Sequence, residues 1–266
     1  MLKIENTEVM GWEASIRGMR NPMNSWDKSD SNFNQYRNGP IMNPKGMYFG
    51  ENDRSLMMKL RNSGTDHRKF MRMITVYVDV TAPLYWWKEF DTYKVGTVAN
   101  SCSTMHKIAE KEFTIEDFST EHIFRDNRMM VYSKDDFRSI NNIQFFMWII
   151  DFLNENRRLY LETKDKEYWW QMIQLLPSSY NQKRTVMLNY EVLANIYKSR
   201  KNHKLDEWVE LCKWIESLPY SELITGPDLK DIPICNKIMQ EAEVRDKINI
   251  GVNLANGPDM TGSVKE

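Results

Sequence analysis

Cysteine is scarce: Cys102, Cys212 and Cys235 are the only three in 266 residues, with neither a Cys-x-x-Cys pair nor an even count. That argues against a disulfide framework or a zinc site and fits a reducing compartment. The four histidines, His67, His106, His122 and His203, are equally scattered. Charge of one sign is also missing, since 36 basic and 37 acidic side chains nearly cancel. No general pull toward nucleic acid or a membrane surface follows, no nucleic-acid partner is expected, and any anionic ligand must be held locally. The longest apolar run, "IQFFMWIIDFL" from Ile143, is interrupted by Asp151 and is too short to cross a bilayer. It reads as a buried helix. The opening "MLKIENTEVM" lacks the basic and then apolar regions of an export signal, so a cytoplasmic protein is expected. Neither G-x-x-x-x-G-K nor G-x-G-x-x-G occurs, and no triad or metal cluster is visible.

What is present is enough apolar character, 41%, for a sizeable core, with nine Trp and eighteen Met whose commonest meaning is core or subunit-interface packing. From Leu2 to Ile16 the pattern predicts a short strand and a short helix, and Arg20 to Gly46, dense in Asn, Asp, Ser, Gly and Pro, a long loop. Ser55–Asn62 predicts a helix stopping at Ser63-Gly64. Alternation at Ile74, Val76, Val78 and Val80 predicts a strand, and Pro83 hands over to an aromatic helix from Leu84. Helices are predicted over Phe145–Arg158, Asp165–Leu175, Arg184–Ser199 and Leu205–Leu218, the last with Leu205, Trp208, Leu211, Cys212 and Ile215 on one side. The tail after Gly251 is small and polar and is expected to fray.

Between these elements, "WKEFDTYKVGTVANSCSTMHK" (Trp87 to Lys107) has few bulky apolar side chains. Such a stretch is either a turn with a polar helix or loop, or a loop whose small residues let a ligand approach the backbone. Cys102 within it invites a nucleophile reading, but no histidine partner supports one.

A second stretch, "LLPSSYNQKRTVMLNYEVLANIYKSRKNH" (Leu175 to His203), places Pro177 ahead of Asn189, Leu193, Asn195 and Arg200. On one continuous helix Asn189 and Arg200 would lie about 16 Å apart on nearly the same face, with Asn195 about 120° around. These spacings resemble the flavin-dependent thymidylate synthases, in which a Leu-Pro corner leads to two Asn and a terminal Arg lining the flavin and deoxyuridylate sites. The first half resembles the family in outline too: Ser63-Gly64, a strand, an aromatic helix, then Asp91-Thr92-Tyr93, seven residues and Ser101. The resemblance runs from about Leu2 to Leu218. It departs where the family carries Arg-His-Arg, at Asp91-Thr92-Tyr93, and where Ser103, Ile173 and Glu191 stand at further arginine positions. Arginine is the usual fork for a phosphate, so phosphate holding must differ here.

The resemblance implies an α+β fold, an antiparallel or mixed sheet packed with helices, as one domain over residues 1–250 with 251–266 as tail. It implies methylation of dUMP to dTMP with FAD, methylenetetrahydrofolate and NADPH, in a homotetramer. Asn189 and Asn195 would face the flavin, Ser101 and Arg200 would be catalytic, and Lys88, Lys94, Ser101, Ser103 and Arg200 would bind the pyrimidine nucleotide. His106 and Lys107 could add charge, and Gly96, Thr97, Ala99, Asn100, Ser101 and Ser103 would form a ligand-facing loop. A related enzyme with a changed pyrimidine substrate, or a non-catalytic nucleotide-binding descendant, fits the same residues.

Overall fold

The computed structural model describes residues 2–33, 49–127, 129–132 and 139–226. Part of the expected Arg20–Gly46 loop and the whole of the 251–266 tail lie outside them; Asn21–Met23 and Trp26–Lys28 within that loop are single 3-10 turns. A four-stranded antiparallel sheet runs in the order β1 (Lys3–Met10), β2 (Thr75–Pro83), β6 (Asn181–Asn189) and β3 (Val98–Ser101). β4 (Met130–Tyr132) and β5 (Ser139–Asn141) form a separate two-stranded ribbon. The architecture is α+β, as the sequence predicts.

β2 is central because its alternation is strict: Val76, Val78, Val80 and Ala82 are buried on one face, each valine worth about 2 kcal/mol of burial. Val186 and Leu188 of β6 pair with Val78 and Val76 and extend that face. Helices α1 (Trp12–Arg20), α2 (Glu51–Asn62), α3 (Leu84–Phe90), α7 (Tyr190–Arg200), α8 (Asp206–Ser217) and the one-turn α9 (Glu222–Thr225) contribute to the same core. Trp86 of α3, Leu193 of α7 and Trp208 of α8 are fully buried there. Gly11, at φ 92°, opens α1 where an added Cβ would stand 2.1 Å from the Met73 carbonyl oxygen, so the chain needs glycine at this crossing. The opposite sheet face is polar. Asp79 there accepts from Thr185 Oγ1 at 2.6 Å and Asn6 Nδ2 at 2.9 Å, with Lys183 Nζ at 3.1 Å. The bond from Thr185, then those from Asn6 and Lys183, hold its carboxyl down to about 2.

A second apolar cluster lies under the hairpin of α5 (Asn142–Thr163) and α6 (Lys166–Leu175), where Phe146, Ile150, Leu153 and Met172 meet Phe113 and Phe118. α5 begins with a capping box, Asn141 accepting from Gln144 N while Gln144 Oε1 accepts from Asn141 N. Its outer side carries Phe145, Trp148 and Phe152, all at least half exposed. α4 (Thr104–Lys107) is a single turn.

The run from Ile143 is half-buried and not the buried helix expected, and two further expectations are corrected. Arg184–Ser199 is not one helix: Arg184–Asn189 is the end of β6, and α7 starts only at Tyr190. The apolar residues of this stretch satisfy both periods, and pairing on both edges, with β2 and β3, selects the extended form. The Gly96–Ser103 segment is not a free loop: after a turn at Gly96, φ 79°, it forms β3, an edge strand whose four side chains are all exposed. Exposure on both faces leaves no alternation to read.

Candidate functional site

The site grows from the edge of the sheet's core face. Ser101 pairs with Arg184, and Ala99 with Val186, so Ser101, Ala99 and Arg184 share the face that inward carries Val78 and Val80. Arg184 lies 4.2 Å from the Trp87 ring centroid, donates from Nε to Gln182 Oε1 at 3.0 Å and from Nη1 to Asp91 Oδ1 at 2.8 Å. Stacking and pairing fix the guanidinium beside β3. Ser101 itself is exposed, and among the described residues its hydroxyl has no hydrogen-bond partner.

Against this row opens a cavity of ≈ 280 Å³ lined by Phe90, Asp91, Tyr93, Lys94, Thr97 and Ala99. The turn that shapes it closes through Thr97 N donating to Lys94 O at 3.3 Å. At Gly96 a Cβ would come within 2.8 Å of Asn189 Nδ2 and 3.3 Å of Val192 Cγ2, so this turn is pressed against the start of α7. Thr97 Oγ1 is buried and has no partner among the described residues. A buried hydroxyl without a partner costs about 1–3 kcal/mol. Asp91 offers Oδ2, since Arg184 takes Oδ1. Among the described residues neither Lys94 nor the exposed Lys88 on α3 forms an ion pair.

Arg200, at the end of α7, reaches the cavity wall: its Nε donates to Tyr93 Oη at 3.0 Å. Its Nη1 donates to Glu89 Oε2 at 2.9 Å and lies 2.9 Å from His203 Nε2. The guanidinium packs 4.6 Å from the Trp208 centroid, and Trp208 Nε1 donates to the same Glu89 oxygen at 3.0 Å. With one-fifth of its side chain exposed, Arg200 has little freedom to swing.

At the other end of α7, Asn189 is the N-cap, its Oδ1 accepting from Glu191 N and Val192 N at 3.1 Å each, while its Nδ2 donates to Gly96 O at 3.4 Å. Asn189 and Arg200 therefore bracket the helix instead of sharing a helical face. Glu191 is buried and accepts from both Arg68 and Arg72. Its bonding raises the Arg72 pKa above the ordinary value. Arg68 Nη2 also donates to Asn195 Oδ1 at 3.2 Å. Two guanidinium groups thus meet one buried carboxylate beside an exposed Asn195, with Asp66 also acting on Arg72 and half of the Arg72 side chain open to solvent. This is donor chemistry suited to a dinucleotide's diphosphate, and it fits FAD. Both arginines on Glu191, the residue that stands at a family arginine position, come from the 3-10 helix Arg68–Met73.

Ser103 caps α4, accepting from His106 N at 3.1 Å, and Cys102 extends the β3–β6 ladder through its N–H to Lys183 O at 2.9 Å. His106 lines a separate cavity of ≈ 360 Å³ with Lys164, Lys166 and Trp169. Lys107 pairs with Glu110. The cavity lining thus holds Lys94 and Thr97; Ser101, paired with Arg184, and Arg200, bonded to Tyr93, stand next to that lining, and Ser103 and His106 are set apart. The residues missed by sequence reasoning are Arg184, Glu89, His203, Arg68 and Arg72; their only signal is excess charge close to aromatic or Asn positions, and the pairing that gathers them is tertiary.

No family model and no curated protein matches the sequence. Among solved structures, thymidylate synthase X from Helicobacter pylori, with FAD and dUMP, superposes with a TM-score of 0.57 at 16% identity, covering 86% of this chain and 98% of that one. A UMP/dUMP methylase from Streptomyces cacaoi, bound with 5-Br dUMP, superposes with a TM-score of 0.52 at 12% identity, covering 85% and 93%. Across those lengths the chain has the fold of a flavin-dependent thymidylate synthase.

Proposed function

We propose that this chain binds a pyrimidine nucleotide and FAD and adds a one-carbon unit at C5 of the base, in the manner of dUMP methylation to dTMP. The observation that carries the reading is the cavity beside β3, lined by Thr97, Lys94 and Asp91 next to the fixed Arg184–Ser101 row. The likeness to structures holding FAD and dUMP or 5-Br dUMP supports the ligand class. Bound and reduced by NADPH, the flavin supplies hydride, and methylenetetrahydrofolate supplies the carbon.

The chain's own residues bind and orient. Lys88 and Lys94 neutralise phosphate, Ser101 contacts the nucleotide from the sheet edge, and Arg200 faces the pyrimidine through its position on the Tyr93 wall. Asn189, Asn195, Arg68 and Arg72 hold the flavin nucleotide at the start of α7. The apolar ridge Phe145, Trp148 and Phe152 serves assembly into a homo-oligomer, in this reading a tetramer. A second reading, nucleotide binding without turnover, draws on the Nε and Nη1 of Arg200 being taken up by Tyr93, Glu89 and His203.

The test is the visible absorbance spectrum of the purified protein with FAD, before and after a pyrimidine nucleotide is added. Bound flavin whose spectrum shifts with nucleotide, and turnover lost in Ser101→Ala and Arg200→Ala, is the expected result. Flavin binding with no turnover on any pyrimidine nucleotide selects the second reading, and absence of flavin binding sinks the first.

A further inference from the structure

We propose that the base taken into the β3 cavity is a 4-aminopyrimidine, so that the nucleotide is a cytosine nucleotide and Asp91 is the residue that selects it. The inference rests on the nucleotide-site reading above and adds the identity of the base. Its ground is the wall of the cavity itself. Tyr93, half-buried, supplies ring surface of the kind on which a pyrimidine stacks, backed by the buried Phe90, and the polar residues beside them are Asp91, Lys94 and Thr97.

Asp91 cannot be read as a spare surface charge. Arg184 holds its Oδ1 at 2.8 Å, and Arg184 is itself held by Gln182 at 3.0 Å and by the Trp87 ring at 4.2 Å. The carboxylate is therefore oriented, with Oδ2 left as an acceptor that takes no hydrogen bond from a described residue. An ionised carboxylate can only accept. Cytosine presents an N4 amino group that donates at its position 4, whereas uracil presents the O4 lone pairs there. Facing Asp91, the amino group gains a charge-assisted hydrogen bond; the uracil oxygen meets like polarity at a half-exposed carboxylate that keeps only its bond from Arg184.

Thr97 lines the cavity with its Oγ1 buried, so it shapes the wall without telling the two bases apart and leaves discrimination to Asp91. Lys94 meets the phosphate, which both nucleotides share.

Calorimetric titration of the whole protein, FAD present, with dCMP, CMP and dUMP tests the inference. The expected result is dCMP or CMP binding roughly tenfold or more tightly than dUMP, the range one well-placed base contact supplies. Asp91→Asn, which keeps an oxygen for Arg184 and gains an amide donor, levels or inverts that ratio. Lys94→Met weakens both bases by the same factor and keeps the ratio, which separates base selection from a general loss of the pocket. Far-ultraviolet circular dichroism of each variant matching the parent shows that the fold is intact. If dUMP binds as tightly as dCMP, or Asp91→Asn leaves a cytosine preference untouched, the base assignment is overturned while the nucleotide site stands. If neither nucleotide binds, the site reading and the base assignment fall together.

Discussion

Glu191 and Arg72 are joined across the start of α7, with Arg72 Nη2 donating to Glu191 Oε1 at 3.3 Å and Nε to Oε2. A carboxylate stands where the resembled family has an arginine, and the two arginines around it come from the 3-10 helix ahead of β2. Glu191→Gln leaves two guanidinium groups facing a neutral amide. Stability is expected to fall by about 1–3 kcal/mol, less than for a fully buried pair because Arg72 is half exposed. The same change adds one net positive charge, so FAD is expected to bind severalfold more tightly with a steeper salt dependence. Urea melts and a flavin titration at two salt concentrations check the two halves.

The deeply buried pair is Arg20 with Asp53, whose side chains are 4% and 0% exposed. Asp53 also accepts from Ser29 Oγ at 2.8 Å, Asp30 N at 3.1 Å and Ser31 N at 3.0 Å. Burial alone would raise its pKa, but the bonds from Ser31, Ser29 and Arg20 outweigh it and the carboxyl is held below its ordinary value. A group depressed on folding contributes stability above its unfolded pKa and loses it as pH falls through the folded value. The parent protein is therefore expected to lose stability steeply below about pH 4, and Asp53→Asn to show a shallower acid limb. Asp53→Ala, which strands Arg20, is expected to cost about 3–5 kcal/mol at neutral pH in chemical denaturation.

Much of this fold is legible in the residues. Val76, Val78 and Val80 announce β2 by strict alternation, and Trp208, Leu211 and Ile215 announce α8 by helical spacing, because each element buries one face only. β6 is not legible in that way. Val186 and Leu188 fit a helix as well as a strand, and the choice is made by hydrogen-bond partners in β2 and β3, distant in sequence. The site divides similarly. Ser101, Lys94 and Thr97 stand out because small and polar residues interrupt an apolar region. Arg184 and Glu89 do not, because their roles come from being stacked and paired with Trp87, Asp91 and Trp208 after folding.

Arg200→Lys tests how the arginine at the end of α7 is used. Lysine keeps the charge near Glu89 but has no planar fork to bond Tyr93, Glu89 and His203 while stacking on Trp208. A loss of about 1–2 kcal/mol in stability is expected. Turnover is expected to fall with it, and the separation of KM from kcat shows whether Arg200 acts on the pyrimidine in the ground state or only in the reaction.

The thiols report burial directly. Cys102 is exposed on the sheet edge, whereas Cys212 is buried in α8, where burial and then Glu216 push its thiol up to about 11. In a Cys235→Ser background, Ellman's reagent at mildly alkaline pH is expected to titrate one thiol quickly and the second only after denaturant is added. Cys102→Ser should remove the fast phase and leave nucleotide binding near parental strength, since that side chain lies outside the cavity lining.

β3 has four residues, all polar or small apart from Val98, and among the described residues no strand pairs with its outer side. A long, flat, apolar border would recruit another chain into a continuous ladder and eventually into aggregates. Brevity and polarity prevent that, and they do so at the same place where Ala99 lines the cavity and Ser101 stands beside it on the strand. The device that keeps the molecule from polymerising is thus the one that leaves main-chain donors and acceptors within reach of something small.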